Sequence, residues 1–352
     1  MSKQTHLLAM IVLAMLVMTI GGCDIAPNLP VPDETVVVYD KDDIGVEVIY
    51  PANTVISINS GMTALVCALG QGHKLVGRDA FSTFPTMALD GVEVVAGSSA
   101  KPSLERIIAK APDVVLADAM FHSEDREKLD AAGIPSYVDS TSDPDRIELL
   151  IQNFGLMLGA EDRAEQLVQF MAQQTDMVDQ RIAHLEAEGG DKPRVYFEWN
   201  SPLKTANAET AFHRPIAQAG GVNVAADQPV RTPDMSSEWV IQQNPDVIVV
   251  RVSGDAALEE MRQTRAEIMS RPGWESISAV RDSRVYIIKA DVFLTFRYPV
   301  GLLYYATWFH PELFQDIDPG AVHREVIKTF FGEQEWEALT RQEIFAYPEM
   351  SE

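Results

Sequence analysis

Short apolar runs alternate with segments of helical periodicity along most of the chain. Before Pro144 the runs are typical of buried strands, and the segments between them repeat apolar residues at helical spacing. The same alternation restarts after Gly189 and Gly190. Apolar strands that alternate with helices favour parallel sheets covered on both faces. The pattern therefore predicts an α/β fold with two Rossmann-like lobes, each built on a parallel sheet.

The region between the two alternating parts carries no strand pattern. Apolar residues recur there at helical spacing, and Gly159 separates two predicted helices. The second helix, near Glu161 to Glu188, spans about 25 residues, or roughly 38 Å at 1.5 Å per residue, which is long enough to join two lobes as a spine. The predicted divisions are an N-terminal lobe, linking helices that include the spine, and a C-terminal lobe, over residues 35–143, 144–190 and 191–352.

The N-terminal segment has the pattern of an export signal. Lys3 precedes the apolar run Leu7 to Ile20, which is shorter than the ~20 residues of a membrane-spanning helix. Gly21 and Gly22 then precede Cys23, and this arrangement resembles a bacterial lipobox, in which the cysteine is acylated. We therefore expect a lipoprotein signal peptide over residues 1–22 and lipidation at Cys23. An uncleaved anchor, or an ordinary signal followed by a chance cysteine, is the alternative.

The residues after Cys23 are predicted to connect the anchor to the folded part. Residues 23–34 contain three prolines and are expected to form a tether. Asp24 directly follows the cysteine, and the resemblance to proteobacterial lipoproteins implies retention at the inner membrane. We therefore expect the protein on the periplasmic side of that membrane, or at the cell surface.

The charge balance restricts the partners. The chain has 28 Lys and Arg against 52 Asp and Glu, a formal net charge of −24. Such a surface repels nucleic acid and anionic lipid, so no nucleic acid partner is expected and membrane contact is expected only through the anchor. The second cysteine, Cys67, lies in an apolar helical stretch and is predicted to be a core residue rather than half of a disulfide.

Short segments in a fixed order across most of the chain carry a resemblance to a known family. They are Asn53–Asn59, Leu69–Gly70, Lys74–Gly77, Pro102–Ile107, Ala111–Val115, Ala132–Pro135, Ala219–Val224, Ser237–Ile241, Arg271–Trp274, Ala279–Arg281 and Arg284–Tyr286. In this order they resemble the class III substrate-binding proteins of ABC importers for iron-siderophores, haem and cobalamin. The resemblance implies a monomeric receptor that holds its ligand between two α/β lobes and works with an ABC permease and its ATPase.

Two glutamates acquire a role through this resemblance. Glu105 and Glu238 each follow a serine at the start of a predicted helix, one in each lobe. The resemblance implies that they dock on arginines of the transmembrane subunits, since a carboxylate–arginine contact gives orientation as well as affinity. The alternative is a pair of solvated glutamates that the helix dipole stabilises.

Ligands of parallel sheets bind outside the carboxyl ends of the strands, and this rule selects the candidate ligand-binding residues. The aromatic candidates could stack on a planar ligand, with interlobe packing as the alternative for Trp199. The arginines are candidate clamps for anionic oxygen, with an ordinary salt bridge as the alternative for each. The candidates are Arg78, Phe81, Trp199, Arg251, Phe293, Arg297 and Tyr298.

Two of these expectations concern predicted helix starts. Arg297 is the preferred clamp because Phe296 to Pro299 opens a helix, and helix N-termini attract anions. His213 and Arg214, which open another predicted helix, are the remaining candidate ligand-binding residues. His213 could bind a metal centre or donate to an anion, with a surface histidine as the alternative.

The sequence does not favour a bare-metal site or an enzyme. No spacing of His, Asp and Glu is typical of direct metal binding, and His310 and His323 are predicted to be structural. We expect no cofactor, and no nucleophile elbow, P-loop or cysteine cluster indicates catalysis.

The predicted function is therefore capture of a metal chelate and its delivery to an ABC permease. An iron-siderophore or related iron complex is the first candidate, followed by cobalamin or another corrinoid, haem and a molybdate-type oxyanion. Two different classes of protein could use the same scaffold, a chelatase-like enzyme and a surface adhesin or signalling receptor.

Overall fold

The structure is a computed structural model that describes residues 34–199, 201–254, 256–340 and 345–348. The predicted signal peptide, the lipidation site at Cys23 and the predicted tether except its last residue lie outside the described residues. None of the described helices combines the length and the apolar character needed to cross a bilayer.

The described chain begins with an antiparallel hairpin. Strands β1 (Thr35–Tyr39) and β2 (Gly45–Ile49) pair so that Val38 lies opposite Val46. Alternation along the strands buries Val38, Val46 and Val48, while Val37, Tyr39 and Ile49 are exposed.

A six-stranded sheet follows, with strand order β6-β5-β4-β3-β7-β8. All neighbouring strands are parallel except β5 and β6. The strands are β3 (Val55–Ser57), β4 (Leu75–Asp79), β5 (Val94–Ser98), β6 (Lys101–Pro102), β7 (Val114–Ala117) and β8 (Ser136–Val138). The helices between them are α1 (Ser60–Ala68), α2 (Leu104–Lys110) and α3 (Ser123–Ala131).

The two predicted linking helices are confirmed as α4 (Pro144–Leu158) and α5 (Glu161–Ala187). Asp143 caps α4 by accepting a hydrogen bond from the backbone N–H of Asp145. Gly159 ends α4 in the left-handed conformation, with φ of 67°. Helix α5 has 27 residues and is therefore about 40 Å long.

The second sheet has five strands in the order β10-β9-β11-β12-β13, all parallel except β12 and β13. Its strands are β9 (Arg194–Trp199), β10 (Val222–Asn223), β11 (Val247–Val252), β12 (Val285–Lys289) and β13 (Ala346–Tyr347). The accompanying helices are α6 (His213–Gln218), α7 (Ser237–Gln243), α8 (Leu258–Met269), α9 (Ser278–Arg281), α10 (Tyr298–Phe309), α11 (Pro319–Phe331) and α12 (Glu333–Thr340).

One apolar core runs through the hairpin, both linking helices, α10 and residues of both sheets. Helix α10 is buried along its whole length. The C-terminal helices also return to the N-terminal half, since the rings of Phe331 and Phe84 lie 4.9 Å apart. The α/β architecture with parallel sheets and a long helix is confirmed, whereas the boundaries at residues 143 and 190 stay predictions.

Cys67 has the environment expected of a core residue. It is buried in α1, and it is a free cysteine. Burial raises the pKa of its thiol to about 12, with a smaller contribution from Glu335. The thiol is therefore protonated at neutral pH.

Candidate functional site

The carboxyl ends of the two sheets face each other. The backbone N–H of Thr295, which follows β12, donates to the carbonyl of Thr141, which follows β8, at 2.8 Å. The guanidinium carbon of Arg297 lies 4.4 Å from the ring centre of Phe84, in the loop after β4. The strand ends that were expected to form a ligand cleft are therefore neighbours.

A pocket of about 230 Å³ lies between these strand ends. Ser142 contributes from the first half of the chain, and all other lining residues come from the second half. They are Ala211, Phe212, Pro215, Arg251, Phe293, Leu294, Tyr298 and Tyr305. The lining is mostly apolar and includes no carboxylate.

Arg251 is the charged group of this pocket. It lies at the end of β11, where its Nη2 donates to the carbonyl of Ala290 at 3.2 Å and its Nε has no hydrogen-bond partner. Its guanidinium carbon lies 4.8 Å from the ring centre of Phe212. Burial lowers the pKa of Arg251, with the nearby Tyr305 and Asp291 acting in the opposite direction. Within the described residues no carboxylate forms a salt bridge with this cation, so it is available to an anionic group.

Phe293 and Tyr298 also line the pocket. The ring of Phe293 packs 4.9 Å from that of Tyr305, and the hydroxyl of Tyr298 donates to Gln218 Oε1 at 2.7 Å. Gly301 allows this packing, because a Cβ atom at that position would lie 2.5 Å from the Phe293 ring. Both predicted residues are therefore brought to the pocket, and their positions are fixed by α10.

Trp199 lies beside the pocket rather than in its lining. Phe212 is flanked by Phe197 at 5.2 Å and by Trp199 at 4.8 Å. The three rings form a row at the end of β9 that supports Phe212 against Arg251. This arrangement agrees with the packing alternative, and direct contact of Trp199 with a ligand stays a prediction.

The other two predicted arginine clamps make internal contacts. Arg297 is buried and pairs with Asp291 through an Nη1–Oδ2 contact of 2.8 Å. Arg78 donates from Nη1 to the carbonyl of Ser82 at 2.9 Å and so holds the loop after β4. Neither side chain lines the pocket. The preferred clamp from the sequence is therefore an internal ion pair, and Arg251 takes the open position.

His213 and Arg214 are also adjacent to the pocket without lining it. His213 is half-buried, its Nδ1 lies 3.5 Å from Asn223 Nδ2, and burial lowers its pKa. Arg214 forms an ion pair with Asp145 from the other half of the chain. Within the described residues no group of three His, Cys, Asp or Glu side chains is placed to hold a metal ion.

An exposed apolar surface lies at the strand ends of the first sheet. Phe81, after β4, is 70% exposed, and Met120, after β7, is 55% exposed. Asp118 fixes the second loop by accepting from the N–H of Met120 at 2.9 Å and from Asn59 Nδ2 at 2.8 Å. These side chains can contact the apolar part of a ligand that is larger than the pocket.

Sequence reasoning did not select Ser142, Phe212 or Tyr305. Tyr305 is a polar-tipped residue in an otherwise apolar helix, seven positions after Tyr298 and thus on the same face. That spacing could have identified it. Phe212 and Ser142 reach the pocket only through contacts between distant segments, and no local pattern marks them.

Glu105 and Glu238, which are predicted to dock on the permease, occupy equivalent positions in the two halves. Both are exposed and lie in the first turns of α2 and α7, and hydrogen bonds from its own N–H and from Ser236 lower the pKa of Glu238. Helix α2 ends at Ala111 with φ of 42°, and α7 ends at Asn244 with φ of 44°. A proline follows each of these ends.

The residues after the prolines repeat as well. Asp113 accepts from the N–H of Thr54, directly ahead of β3, and Asp246 accepts from the N–H of Arg194, the first residue of β9, both at 2.8 Å. The similar segments Ala-Pro-Asp-Val-Val at 111–115 and Asn-Pro-Asp-Val-Ile at 244–248 therefore belong to a structural repeat. The repeat places one exposed glutamate at the same point of each half.

A family model for periplasmic binding proteins matches residues 55–292, more than half of the chain. The chain belongs to the periplasmic binding protein family. A vitamin B12-binding protein from Yersinia pestis (strain Pestoides F) is 28% identical over 201 residues, which cover 56% of this chain and 69% of that protein.

Solved structures of family members share the fold. The TroA-like periplasmic binding protein FepB from Veillonella parvula is 23% identical, with a TM-score of 0.73, and the match covers 84% of this chain and 96% of FepB. The periplasmic heme-binding protein RhuT from Roseiflexus sp. RS-1 is 25% identical, with a TM-score of 0.60, over 74% of this chain and 99% of RhuT. The molybdate-binding protein MolA of a Haemophilus influenzae ABC transporter is 18% identical, with a TM-score of 0.69, over 84% and 97%.

These matches confirm the helical-spine class of ABC-importer binding proteins that the sequence motifs indicated. Members of this family act outside the cytoplasm and are binding proteins for transport rather than enzymes. In this protein, the pocket between the strand ends of the two sheets is thus the candidate ligand site.

Proposed function

We propose that the protein is a lipid-anchored, monomeric receptor that captures a metal chelate between its lobes and delivers it to an ABC permease with its ATPase. The observation that supports this proposal most directly is Arg251, a cation without a salt-bridge partner among the described residues, at the end of β11 in an otherwise apolar pocket. The anchor rests on Cys23 after two glycines, and the expected location is the periplasmic side of the inner membrane or the cell surface.

The electrostatics of the pocket favour a ligand that carries anionic or strongly polar oxygen. A partly buried guanidinium has lost hydration and gains from a charge-assisted hydrogen bond to such an oxygen. Because the pocket holds about 230 Å³, it fits a small oxyanion or one polar substituent of a larger chelate. Phe81 and Met120 then offer apolar surface to the rest of a large ligand.

An iron-siderophore or related iron complex is the first ligand that we propose, since hydroxamate and carboxylate oxygens fit Arg251. A corrinoid is the second candidate, because the similarity to vitamin B12-binding proteins favours it. Haem and a molybdate-type oxyanion complete the set. We propose no catalytic activity and no bound cofactor.

Calorimetric titration of the purified protein tests this function. The probes are a ferric hydroxamate siderophore, cyanocobalamin, haem and molybdate, and at least one is expected to bind in the micromolar range or tighter. Arg251→Met should weaken binding of an anionic probe roughly tenfold to hundredfold, the usual worth of a hydrogen bond to a charged group. Arg262→Gln, which removes an exposed arginine on α8, is the matched control and should leave affinity unchanged. Equal affinities for Arg251→Met and the wild type would contradict the role of Arg251, and failure of all four probes would contradict the proposed ligand class.

A further inference from the structure

An exposed ion pair joins the two chain segments that flank the pocket. Asp145, in the first turn of α4, is hydrogen-bonded to Arg214, in the first turn of α6. Ser142, three residues before Asp145, lines the pocket from the first half of the chain, and Pro215, next to Arg214, lines it from the second half. The pair therefore joins the two chain halves next to the pocket lining.

The surroundings of the two charges show why they pair. A carboxylate near the start of α4 is stabilised by the helix dipole, whereas a guanidinium in the first turn of α6 gains nothing from its own helix. Pairing with Arg214 lowers the pKa of Asp145, and pairing with Asp145 raises the pKa of Arg214. Arg214 is thus stabilised by a carboxylate from the other half of the chain.

The pair can open and close without burying an unpaired charge. The side chain of Asp145 is 71% exposed and that of Arg214 is 43% exposed, so water can solvate both after separation. Other contacts between the two halves, such as the hydrogen bond from Thr295 to Thr141 and the packing of Arg297 on Phe84, involve buried groups. Those contacts are part of the packed interior, whereas the Asp145–Arg214 contact lies at the surface, where water can replace it.

We propose that the Asp145–Arg214 ion pair is a latch that closes one side of the pocket and sets the rate of ligand exchange. This inference rests on the proposed function, because it takes the pocket as the ligand site. Asp145 acts through Arg214 and is a positioning residue rather than a ligand contact. Since exposed ion pairs are weak and screened by salt, the latch slows exchange modestly and less at high ionic strength.

Stopped-flow kinetics with cyanocobalamin and with a ferric hydroxamate siderophore measures the exchange rates. Asp145→Asn and Arg214→Gln should each raise both association and dissociation rates by about two- to fivefold at low salt, the range expected for an exposed pair. The wild-type rates should approach those of the variants as salt is added. The charge swap Asp145→Arg with Arg214→Asp restores the pair and should return the rates toward wild type.

Asp316→Asn is the matched control, since it breaks the exposed ion pair with Arg181, whose residues do not line the pocket. It should leave the exchange rates unchanged. Tighter ligand binding by Asp145→Asn without faster dissociation would overturn the latch, because Asp145 would then compete with the ligand for Arg214. Unchanged rates in both single variants at low salt would overturn it as well.

A measurement without ligand separates the latch from the proposed function. Hydrogen–deuterium exchange of ligand-free Asp145→Asn should be severalfold faster than in the wild type in peptides that cover residues 140–146 and 209–216. If neither probe binds the wild type while these peptides exchange faster, the chelate assignment fails and the latch stands. Equal exchange in both proteins would overturn the latch regardless of ligand.

Discussion

Single residues in the core show how burial controls protonation in this protein. His323 on α11 is almost completely buried, its ring lies 4.3 Å from that of Phe345, and neither ring nitrogen has a hydrogen-bond partner among the described residues. Desolvation, and secondly the charge of Arg297, lowers the pKa of His323 well below its usual value. The sequence predicted a structural role for His323, which lies in the C-terminal helical region, and its burial agrees with that role.

The lowered pKa of His323 predicts a loss of stability in acid. Protonation is easier in the unfolded chain, so the neutral histidine contributes stability above about pH 6.5 that is lost as the pH falls below that value. The loss from one such group is at most about 2 kcal/mol at pH 5. His323→Met, which has no proton to bind, should lose less unfolding free energy between pH 7 and pH 5 in urea titrations.

The control for this prediction is His184→Met, which replaces an exposed histidine on α5. Its unfolding free energy should fall with pH as in the wild type. An identical acid loss in His323→Met and the wild type would show that His323 does not contribute. Because burial also lowers the pKa of His213 and His310, a residual acid dependence is expected in every variant.

At the scale of single residues, the sequence predicted only some of the side chains that line the pocket. The strand-end rule selected Arg251, Phe293 and Tyr298, and the structure brings all three to one pocket. The same rule selected Arg297, whose pairing with Asp291 depends on how the loop after β12 folds. The end of a strand determines which side of the sheet a residue reaches. Whether an arginine at that position is open to a ligand or forms an internal salt bridge depends on the position of a carboxylate. The apolar pattern of the sequence does not predict that position.

At the scale of elements, apolar periodicity and glycine positions carried most of the information about where helices and strands lie. Gly159 separated α4 from α5 in the sequence because a left-handed residue ends a helix, and the structure agrees. No glycine position or apolar periodicity predicts that α12 packs against the N-terminal half. Glu335 is buried and accepts from the backbone N–H groups of Thr86 and Met87, at 3.1 and 2.6 Å, and such a contact across more than 240 residues leaves no local pattern.

Helix α10 sets the shape of the pocket through Gly301. Alanine has a helix propensity about 1 kcal/mol better than glycine, but a Cβ at this position would lie 2.5 to 2.8 Å from three ring atoms of Phe293. The clash should outweigh the propensity, so Gly301→Ala should destabilise the protein by about 1–3 kcal/mol, as overpacking of a core does. Urea unfolding measures the change, and chelate titration should show weaker binding because Phe293 forms the pocket wall.

A second substitution tests whether the clash is the cause. Replacing Phe293 by Ala removes the ring that the new Cβ would meet, so Gly301→Ala should cost less stability in that background than in the wild type. Equal costs in the two backgrounds would place the effect elsewhere in α10.

At the scale of the whole molecule, each of the two repeated halves presents one glutamate at the surface, Glu105 in the first and Glu238 in the second. The order of short motifs predicted two lobes, a spine and one glutamate per lobe, and the repeat of α2 with β7 and of α7 with β11 gives Glu105 and Glu238 equivalent surroundings. A partner that contacts both carboxylates senses the separation of the halves. The separation of the two halves could not be predicted from the sequence, because that separation depends on how the shared core packs around α10.

Removal of the two carboxylates should uncouple transport from ligand capture. Glu105→Gln and Glu238→Gln keep the side-chain shape but remove the charge that would pair with permease arginines, so each should weaken docking and the pair should weaken it more. Ligand affinity should stay at the wild-type value, since both residues are exposed and neither lines the pocket. Stimulation of the transporter ATPase by receptor in proteoliposomes measures docking, and Glu209→Gln, another exposed glutamate of the second half, is the control. If the double variant stimulated the ATPase as well as the wild type, these glutamates would be ordinary solvated helix-start residues, and the contact that reads the two halves would have to lie elsewhere on the surface.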